Sequence, residues 1–457
     1  MKINLNLHPA ELKKKIERLF ELSARKIISI EKSWKPSEGT PVFTVKGKYT
    51  SRGWTEWTQG FQYGSALLQF DATNDAAFLD IGRNRTVERM APHLTHIGVH
   101  DHGFNNISTY GNLRRLMRED RIPRNEWELR YYELALKVSG AVQAARWTPT
   151  ADGFGYIYSF NGPHSLFIDT IRSLRIVGLA HALGHGLMGE NDRPISLLER
   201  LVHHARNTAR HNVYYGTGRD AYDVRGRTAH EAIFNPQTGL FRCPSSQQGY
   251  SPFTTWTRGL AWAICGFAEQ LEFLAARGES ELELYGGKSH ILDEFLETAR
   301  AVADFYIENT PLDGIPYWDS GAPDLCRMGD YLAQRADPYN AYEPVDSSAA
   351  GIAAQGLIRL GNFLLSHGFP AESRRYVQAG LTIAETLFDP PYLSEDEHHQ
   401  GLLLHSVYHR PNGWDYVPPG SAVPRGESSL WGDYHARELA VLIQRMADGG
   451  RYPTFFS

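Results

Sequence analysis

Six tracts of the chain share one pattern, in which small residues are mixed with large apolar residues on more than one helical face. An apolar surface on several sides predicts a buried helix rather than a half-exposed one. Glycine and alanine recur in these tracts, and they let the backbone of a neighbouring helix come close. The tracts cover residues 57–75, 100–116, 168–183, 256–274, 345–364 and 430–446.

More polar, amphipathic stretches lie between these tracts, and each has an apolar stripe at helical spacing, as outer helices do. They include residues 11–27, 126–145, 194–213, 291–309 and 372–388. Inner and outer helices therefore alternate about six times. We predict an all-α fold, an (α/α)6 barrel of six helical hairpins. An open α-solenoid is the alternative, although tracts of such irregular spacing would stack poorly.

The domain organisation is predicted to be simple. Strand-like alternation is rare and short, as in PVFTVKGKY at residues 41–49, and no Ser/Gly-rich linker or low-complexity stretch interrupts the helices. We therefore expect a single barrel domain over residues 1–457.

Composition excludes several classes of partner. Hydrophobic residues make up 42% and charged residues 22% of the chain, which is ordinary for a soluble globular protein. The formal net charge is −5 and there is no long basic run, which argues against nucleic acid and anionic membranes. The aromatic content of 12% fits either a large core or a cleft that binds sugar rings.

Cysteine usage and the N-terminal segment predict a cytoplasmic protein. The three cysteines, Cys243, Cys265 and Cys326, lack CxxC spacing, which favours neither a disulfide framework nor a zinc site. The first 20 residues have no apolar signal core and indicate an amphipathic helix. No apolar run approaches the roughly 18 residues that a membrane span requires.

Four aspartates stand near the starts of inner tracts: Asp101, Asp169, Asp346 and Asp433. A carboxylate there can cap the free N–H groups of the helix, which is a structural explanation for each of them. In a closed barrel, however, inner helices of one direction begin around the same mouth. A catalytic pair of carboxylates at that mouth is then geometrically reasonable, and one of the pair can keep its proton through burial.

A series of motifs occurs along the chain in one order: HDHGF, FIDTIRSL, TTWTRGLAWAICGFA, DGIPYWD, VDSSAAGIAAQGL and SSLWGDYHARELA. This series resembles the unsaturated glucuronyl hydrolases of glycoside hydrolase family 88. The resemblance covers nearly the whole chain. It implies an (α/α)6 barrel whose pocket takes a uronic acid with a C4=C5 double bond from the non-reducing end of an oligosaccharide. It also implies hydration of that bond, with neither a metal nor an organic cofactor.

The resemblance assigns roles residue by residue. Asp169 matches the general acid/base of the family, and Asp101 matches the second carboxylate, with His100 beside it. His230 and Gln248 match a pocket histidine and a pocket glutamine of the family. Arg258 matches a polar contact, and Trp57 and Trp262 match aromatic walls. Trp256, at the start of the same WTRGLAW motif, is a further candidate for a sugar platform, with the core as the alternative.

Three departures from the family pattern leave the substrate open. Phe160 stands where the family usually has tryptophan, the loop between it and Asp169 is shorter than usual, and His102 replaces an apolar residue. An exo-acting β-glucuronidase on saturated glucuronides is therefore an alternative function. A non-catalytic carbohydrate-binding barrel and a sugar epimerase that relies on histidine pairs are alternatives of other classes. Oligomeric state is not predicted by the sequence.

Several local patterns have more ordinary explanations. His100 and His102 have HxH spacing, and His181 and His185 lie one helical turn apart, yet neither stretch is HExxH and no cysteine cluster joins them, so we expect no metal. Arg258 has two interpretations: a two-pronged grip on a uronate carboxylate, or a structural pair with an aspartate near the mouth. Trp431 is expected in the core.

Overall fold

The computed structural model describes residues 1–53 and 56–456. The six predicted inner tracts are helical and lie side by side around a closed ring, in which the last contacts the first. The inner helices are Gln59–Thr73, His102–Asn106 continued by Ile107–Gly111 and Asn112–Arg118, Thr170–Ser173 with Arg175–Ala182, Thr257–Ala275, Ser347–Ser366 and Leu430–Asp448.

Six outer helices alternate with the inner ones along the chain, so the fold is the (α/α)6 barrel that the pattern predicts. Five of them coincide with the amphipathic stretches of the sequence, and the sixth is Ala76–Arg89. The outer helices are Lys13–Ser33, Ala76–Arg89, Glu126–Ala145, Leu197–Asn212, Lys288–Glu308 and Pro370–Leu387.

Short elements complete the fold, mostly in the connections between helices. Short helical turns cover Pro9–Leu12, Pro36–Glu38, Ala91–Leu94, Glu190–Asp192, Glu279–Leu282, Glu283–Tyr285, Pro323–Met328, Tyr331–Ala333 and Arg410–Asn412. Antiparallel hairpins pair Phe43–Val45 with Lys48–Thr50, Trp147–Pro149 with Gly155–Ile157, and Leu187–Met188 with Pro194–Ile195. A three-stranded sheet orders Ser165–Phe167, Glu231–Phe234 and Phe241–Ser245 next to the barrel mouth.

Glycine allows the inner helices to approach one another closely. A Cβ added to Gly103 would lie 2.1 Å from the carbonyl oxygen of Ser173 on the next inner helix, and one added to Gly60 would lie 2.1 Å from that of Asn105. Neither position has room for a side chain. These contacts bring the starts of three consecutive inner helices together at one end of the barrel.

The middle of the ring contains buried charges as well as apolar side chains. Arg172 lies 3.1 Å from Glu269 and 3.1 Å from Glu438, and Arg359 donates to the carbonyl oxygen of Pro453 at 3.3 Å. The C-terminal segment therefore covers one end of the barrel, and the opposite end carries the open pocket. Among the described residues, no helix is long and apolar enough to cross a membrane.

Candidate active site

A pocket opens where the inner helices begin, and it brings together most of the residues that the sequence singles out. About 560 Å³ of atom-free space, part of it open to solvent, lies within it. Its lining includes nine of the ten predicted residues: Trp57, His100, Asp101, Phe160, Asp169, Gln248, Trp256, Arg258 and Trp262. The tenth, His230, lies directly behind the lining, with its ring 4.7 Å from that of Trp256.

Capping accounts for some of the four aspartates but not for the two in the pocket. Asp346 accepts hydrogen bonds from the backbone N–H groups of Ser348 and Ala349 and caps its helix. Asp433 binds backbone N–H groups of a neighbouring loop at 2.8–2.9 Å. Asp101 and Asp169 also stand at helix starts, but among the described residues neither side chain makes a capping hydrogen bond. Their carboxylates are therefore available for chemistry.

One imidazole nitrogen lies between the two carboxylates and is hydrogen-bonded to one of them, Asp169. His100 Nε2 lies 3.3 Å from Asp169 Oδ1 and 3.8 Å from Asp101 Oδ1. All three side chains are at least nine-tenths buried. The ring of Phe160 is stacked on the imidazole at a centroid distance of 5.8 Å. The acids, about seventy positions apart in sequence, thus share one polar centre beneath an aromatic cover.

The electrostatics of this centre differ for the two acids. Burial raises the pKa of Asp101 to about 6, although His100 opposes the shift. Burial also acts to raise the pKa of Asp169, but the hydrogen bond and charge of His100, together with His230 and Arg258, outweigh it and lower that pKa below its ordinary value. Burial disfavours the imidazolium, yet the two carboxylates raise the pKa of His100. Asp101 is thus the better proton carrier and Asp169 the better base in the unliganded protein.

His230 has a defined tautomer. Its Nδ1 accepts backbone N–H groups from Gln247 at 2.9 Å and Gln248 at 3.2 Å, so Nδ1 carries no proton. Burial lowers the pKa of the imidazole to about 4, and the ring is neutral with its hydrogen on Nε2. Within the described residues this Nε2 has no hydrogen-bond partner. A neutral donor therefore stands behind the pocket wall, and the ring fixes the loop that carries Gln248.

Arg258 makes the structural pair that the sequence left as one of its two interpretations. Its guanidinium lies 3.1 Å from Asp346 and donates to Gln248 Oε1 at 2.8 Å. The group is stacked between two indoles, 4.6 Å from the ring centroid of Trp256 and 4.9 Å from that of Trp431. Its donors are directed at protein acceptors on several sides.

Aromatic rings form much of the remaining surface. Trp57 stacks on Trp431 at a centroid distance of 5.0 Å, and Trp431 is fully buried, as expected for a core residue. Trp262 packs against Phe104 at 4.7 Å and closes the floor. The three predicted tryptophans of the lining are thus packed into the core on one side and reach the pocket on the other.

Sequence reasoning missed five residues of the lining: Phe104, Gln247, Tyr408, His409 and Trp414. Phe104 and Gln247 are sequence neighbours of residues that were identified. The other three lie in YHRPNGWD, at residues 408–415. The cluster of aromatic, histidine, proline and glycine residues before the last inner tract was the available signal, because loops before inner helices converge at the mouth.

The histidine patterns do not form a metal-binding cluster. His102 is directed away from His100, with Nδ1 2.9 Å from Ser139 Oγ and Nε2 2.9 Å from the carbonyl oxygen of His96. His181 pairs with Glu281 at 2.9 Å. Across residues 1–53 and 56–456, no group of three or more histidine, cysteine, aspartate or glutamate side chains has the arrangement of a metal site.

The chain is similar in sequence to several proteins that share one name. No protein-family model matches the chain. It is 26% identical over 417 residues to the unsaturated glucuronyl hydrolase of Bacillus sp. (strain GL1), over 89% of this chain and 90% of that protein. It is 23% identical over 396 residues to the unsaturated glucuronyl hydrolase of Formosa agariphila, over 86% of this chain and 80% of that protein. These likenesses confirm the resemblance that the motifs predict.

The structural comparison supports the same fold. The crystal structure of the unsaturated glucuronyl hydrolase from Bacillus sp. GL1 superposes with a TM-score of 0.70 at 22% sequence identity, over 95% of this chain and 97% of that chain. The (α/α)6 barrel predicted from the helical pattern is therefore confirmed.

Proposed function

We propose that this chain is a glycoside hydrolase that removes an unsaturated glucuronic acid from the non-reducing end of an oligosaccharide. The observation that carries the proposal is the pair Asp101 and Asp169, which lie 3.8 Å and 3.3 Å from His100 Nε2 in one pocket. The names of the relatives support the choice of an unsaturated sugar.

The reaction needs one proton given and one proton taken. The C4=C5 bond of an unsaturated uronic acid is a vinyl ether, because the ring oxygen is attached to C5. Protonation at C4 leaves positive charge on C5, where water adds and loses a proton. The resulting hemiketal opens the ring, and the hemiacetal at C1 then releases the shortened sugar. Acid and base positioned on a single pocket meet this requirement.

The two carboxyls and His100 suit this exchange. A pKa of about 6 lets Asp101 carry a proton in mildly acidic solution, whereas Asp169 has a lowered pKa and is ready to accept one. His100 Nε2 is hydrogen-bonded to Asp169 at 3.3 Å and lies 3.8 Å from Asp101, so a small shift of the imidazole ring can carry a proton from one carboxylate to the other. Asp169 keeps the role of base toward water, and the proton for C4 comes from this shared set.

The pocket wall supports recognition of a sugar ring. Trp57, Trp256 and Trp262 present aromatic surface, which suits the apolar faces of a pyranose. Gln248 has its carbonyl oxygen occupied by Arg258, so its amide N–H groups are the part left to donate to hydroxyl or carboxylate oxygens. The ring of Phe160 is stacked on His100 and forms the side of the pocket where the family usually has a tryptophan.

A substrate panel tests the proposal. Disaccharides released by polysaccharide lyases from several parent polymers are incubated with the chain, alongside saturated disaccharides that have the same leaving sugar. We expect the ultraviolet absorbance of the double bond to disappear with at least one unsaturated substrate, together with release of its leaving sugar. Cleavage of the saturated partner alone would support the β-glucuronidase alternative. Binding without turnover of any uronide would support a non-catalytic barrel.

A further inference from the structure

The pocket wall at residues 407–409 is irregular backbone held by buried charged side chains. These residues lie between the short bridge at Leu403–Leu404 and the turn Arg410–Asn412 and belong to no helix or strand. Val407, Tyr408 and His409 are nevertheless at least 95% buried. Buried backbone outside regular structure must find its hydrogen bonds elsewhere, because each unpaired group costs free energy.

Five consecutive backbone groups of this wall bind three ionisable side chains. Arg258 donates to the carbonyl oxygens of Val407 and Tyr408, the latter at 2.7 Å. Asp415 accepts the N–H groups of Tyr408 and His409, the latter at 3.0 Å. Asp346 accepts the N–H of Val407 at 3.4 Å and pairs with Arg258 at 3.1 Å.

These three side chains come from different parts of the fold. Arg258 lies in the first turn of one inner helix, Asp346 caps another, and Asp415 follows the wall itself. Arg258 also donates to Gln248 Oε1 at 2.8 Å on the opposite wall. The same buried ions therefore set the position of both walls relative to the floor.

The wall presents its rings to the pocket. Tyr408, His409 and Trp414 belong to the lining, and Trp414 packs on the other two with centroid distances of 5.2 Å and 4.9 Å. Among these three only Trp414 is half-buried rather than buried, so it forms the rim. Any displacement of the backbone at 408–409 would move all three rings.

We propose that Arg258, Asp346 and Asp415 form an ionic clamp that positions the Tyr408–His409–Trp414 wall and thereby sets the affinity for the sugar, without taking part in proton transfer. The clamp gives Arg258 a structural role in the pocket that it lines. It makes Asp415 a positioning residue. The proposal rests on the proposed function in that it takes an unsaturated uronide as the ligand.

Asp415 is mostly ionised at neutral pH. Burial raises the pKa of this carboxyl to about 6, which is still below 7, and the backbone N–H groups of Tyr408 and His409 limit the shift. An ionised carboxylate accepts on both oxygens, whereas an amide of the same shape accepts on one and presents N–H groups on the other. Asp415→Asn thus turns one of the two hydrogen bonds into a donor facing a donor.

The test measures binding separately from turnover. Asp415→Asn is made in an Asp169→Asn background, and the dissociation constant of an unsaturated disaccharide is followed by tryptophan fluorescence. Loss of a charge-assisted hydrogen bond predicts a dissociation constant raised about tenfold or more. In the otherwise wild-type chain, Asp415→Asn raises KM similarly while kcat stays within about threefold, because Asp101, His100 and Asp169 are not held by the clamp.

Asp433→Asn is the matched control. Asp433 is also fully buried and also accepts two backbone N–H groups, those of Leu402 and Leu403, but it does not line the pocket. We expect a similar loss of thermal stability, with a dissociation constant within about twofold of the background. Equal increases in the two variants would overturn the clamp as a specific device, and so would an Asp415→Asn variant with unchanged affinity.

A second variant keeps the wall testable if Asp415→Asn does not fold. Trp414→Leu removes the rim ring and leaves all buried charges in place. If Trp414→Leu leaves the dissociation constant unchanged, the Tyr408–His409–Trp414 wall does not contribute to sugar binding. A wild-type chain that binds the disaccharide without turning it over would count against the proposed function, while the binding comparison would still decide for or against the clamp.

Discussion

Replacing His100 by glutamine tests how the catalytic proton is held. Glutamine retains an N–H donor near the place of imidazole Nε2 but carries no charge. That nitrogen lies 3.3 Å from Asp169 and 3.8 Å from Asp101. Burial acts to raise the pKa of both carboxyls, and the imidazolium opposes it in both. His100→Gln therefore raises both pKa values.

The size of the shift follows from the loss of charge. A hydrogen bond to a charged group contributes about 1.5–3 kcal/mol and a neutral one about 1 kcal/mol. The difference, roughly 0.5–2 kcal/mol, corresponds to about one pKa unit. An acid that must be ionised sets the acid limb of kcat/KM, and one that must be protonated sets the basic limb. Both limbs should therefore move to higher pH by about one unit.

The assay is the pH profile of kcat/KM on an unsaturated disaccharide for the wild type and the variant. His102→Gln is the control, because burial lowers the pKa of His102 to about 4 and its replacement removes no charge near neutral pH. Its limbs should stay in place. If the limbs of the His100→Gln profile do not move, move to lower pH or move in opposite directions, His100 does not hold the charge that lowers both carboxyl pKa values.

Three further predictions concern the acids, the close packing and the buried ions. Asp101→Asn and Asp169→Asn should each reduce kcat about 10²–10⁴-fold while retaining disaccharide binding. Turnover above one-tenth of wild type in either variant would contradict the role of that residue. Gly103→Ala should lower the free energy of unfolding by about 1–3 kcal/mol, because its Cβ would lie 2.1 Å from a backbone oxygen. The control Gly98→Ala should not lower it, because that Cβ would meet only a histidine ring at 3.0 Å. Equal melting temperatures of the two variants in thermal unfolding would contradict this difference. Arg172→Met should cost about 3–5 kcal/mol, since it leaves two buried glutamates without this partner; a melting temperature equal to that of wild type would show that the pairs contribute little.

The helical architecture was readable from the sequence because it depends on local patterns. Small and apolar residues on several faces predicted the inner helices, and one-sided stripes predicted the outer ones. Gly60 and Gly103 explain why the ring closes tightly, since a side chain at either position would meet backbone. The outer helix Ala76–Arg89 was not among the stretches named from the sequence.

The candidate site was only partly predictable. Asp101 and Asp169 were correctly predicted to line the pocket, because both precede inner helices and both lie in the family motifs. Position at a helix start did not by itself separate them from Asp346 and Asp433, and the family motifs did, leaving the latter two as expected caps. The structure shows Asp346 capping its helix, whereas Ser429 rather than Asp433 caps the last inner helix.

The wall at residues 408–414 was missed for a different reason. Its backbone is irregular, and its position depends on Arg258, Asp346 and Asp415, which are distant from one another in sequence. Neither periodicity nor turn residues record such an arrangement. Long-range buried ion pairs of this kind are the part of a site that sequence patterns describe least well.

In the proposed reaction, Asp101 and Asp169 face one bound double bond from a shared pocket. The most direct measurement is a crystal structure of Asp169→Asn grown with an unsaturated disaccharide. We expect C4 and C5 of the uronic acid to lie in direct contact with Asp101 and position 169, with the sugar ring against the tryptophan walls. A sugar bound at another surface, or one whose double bond points away from both positions, would contradict it.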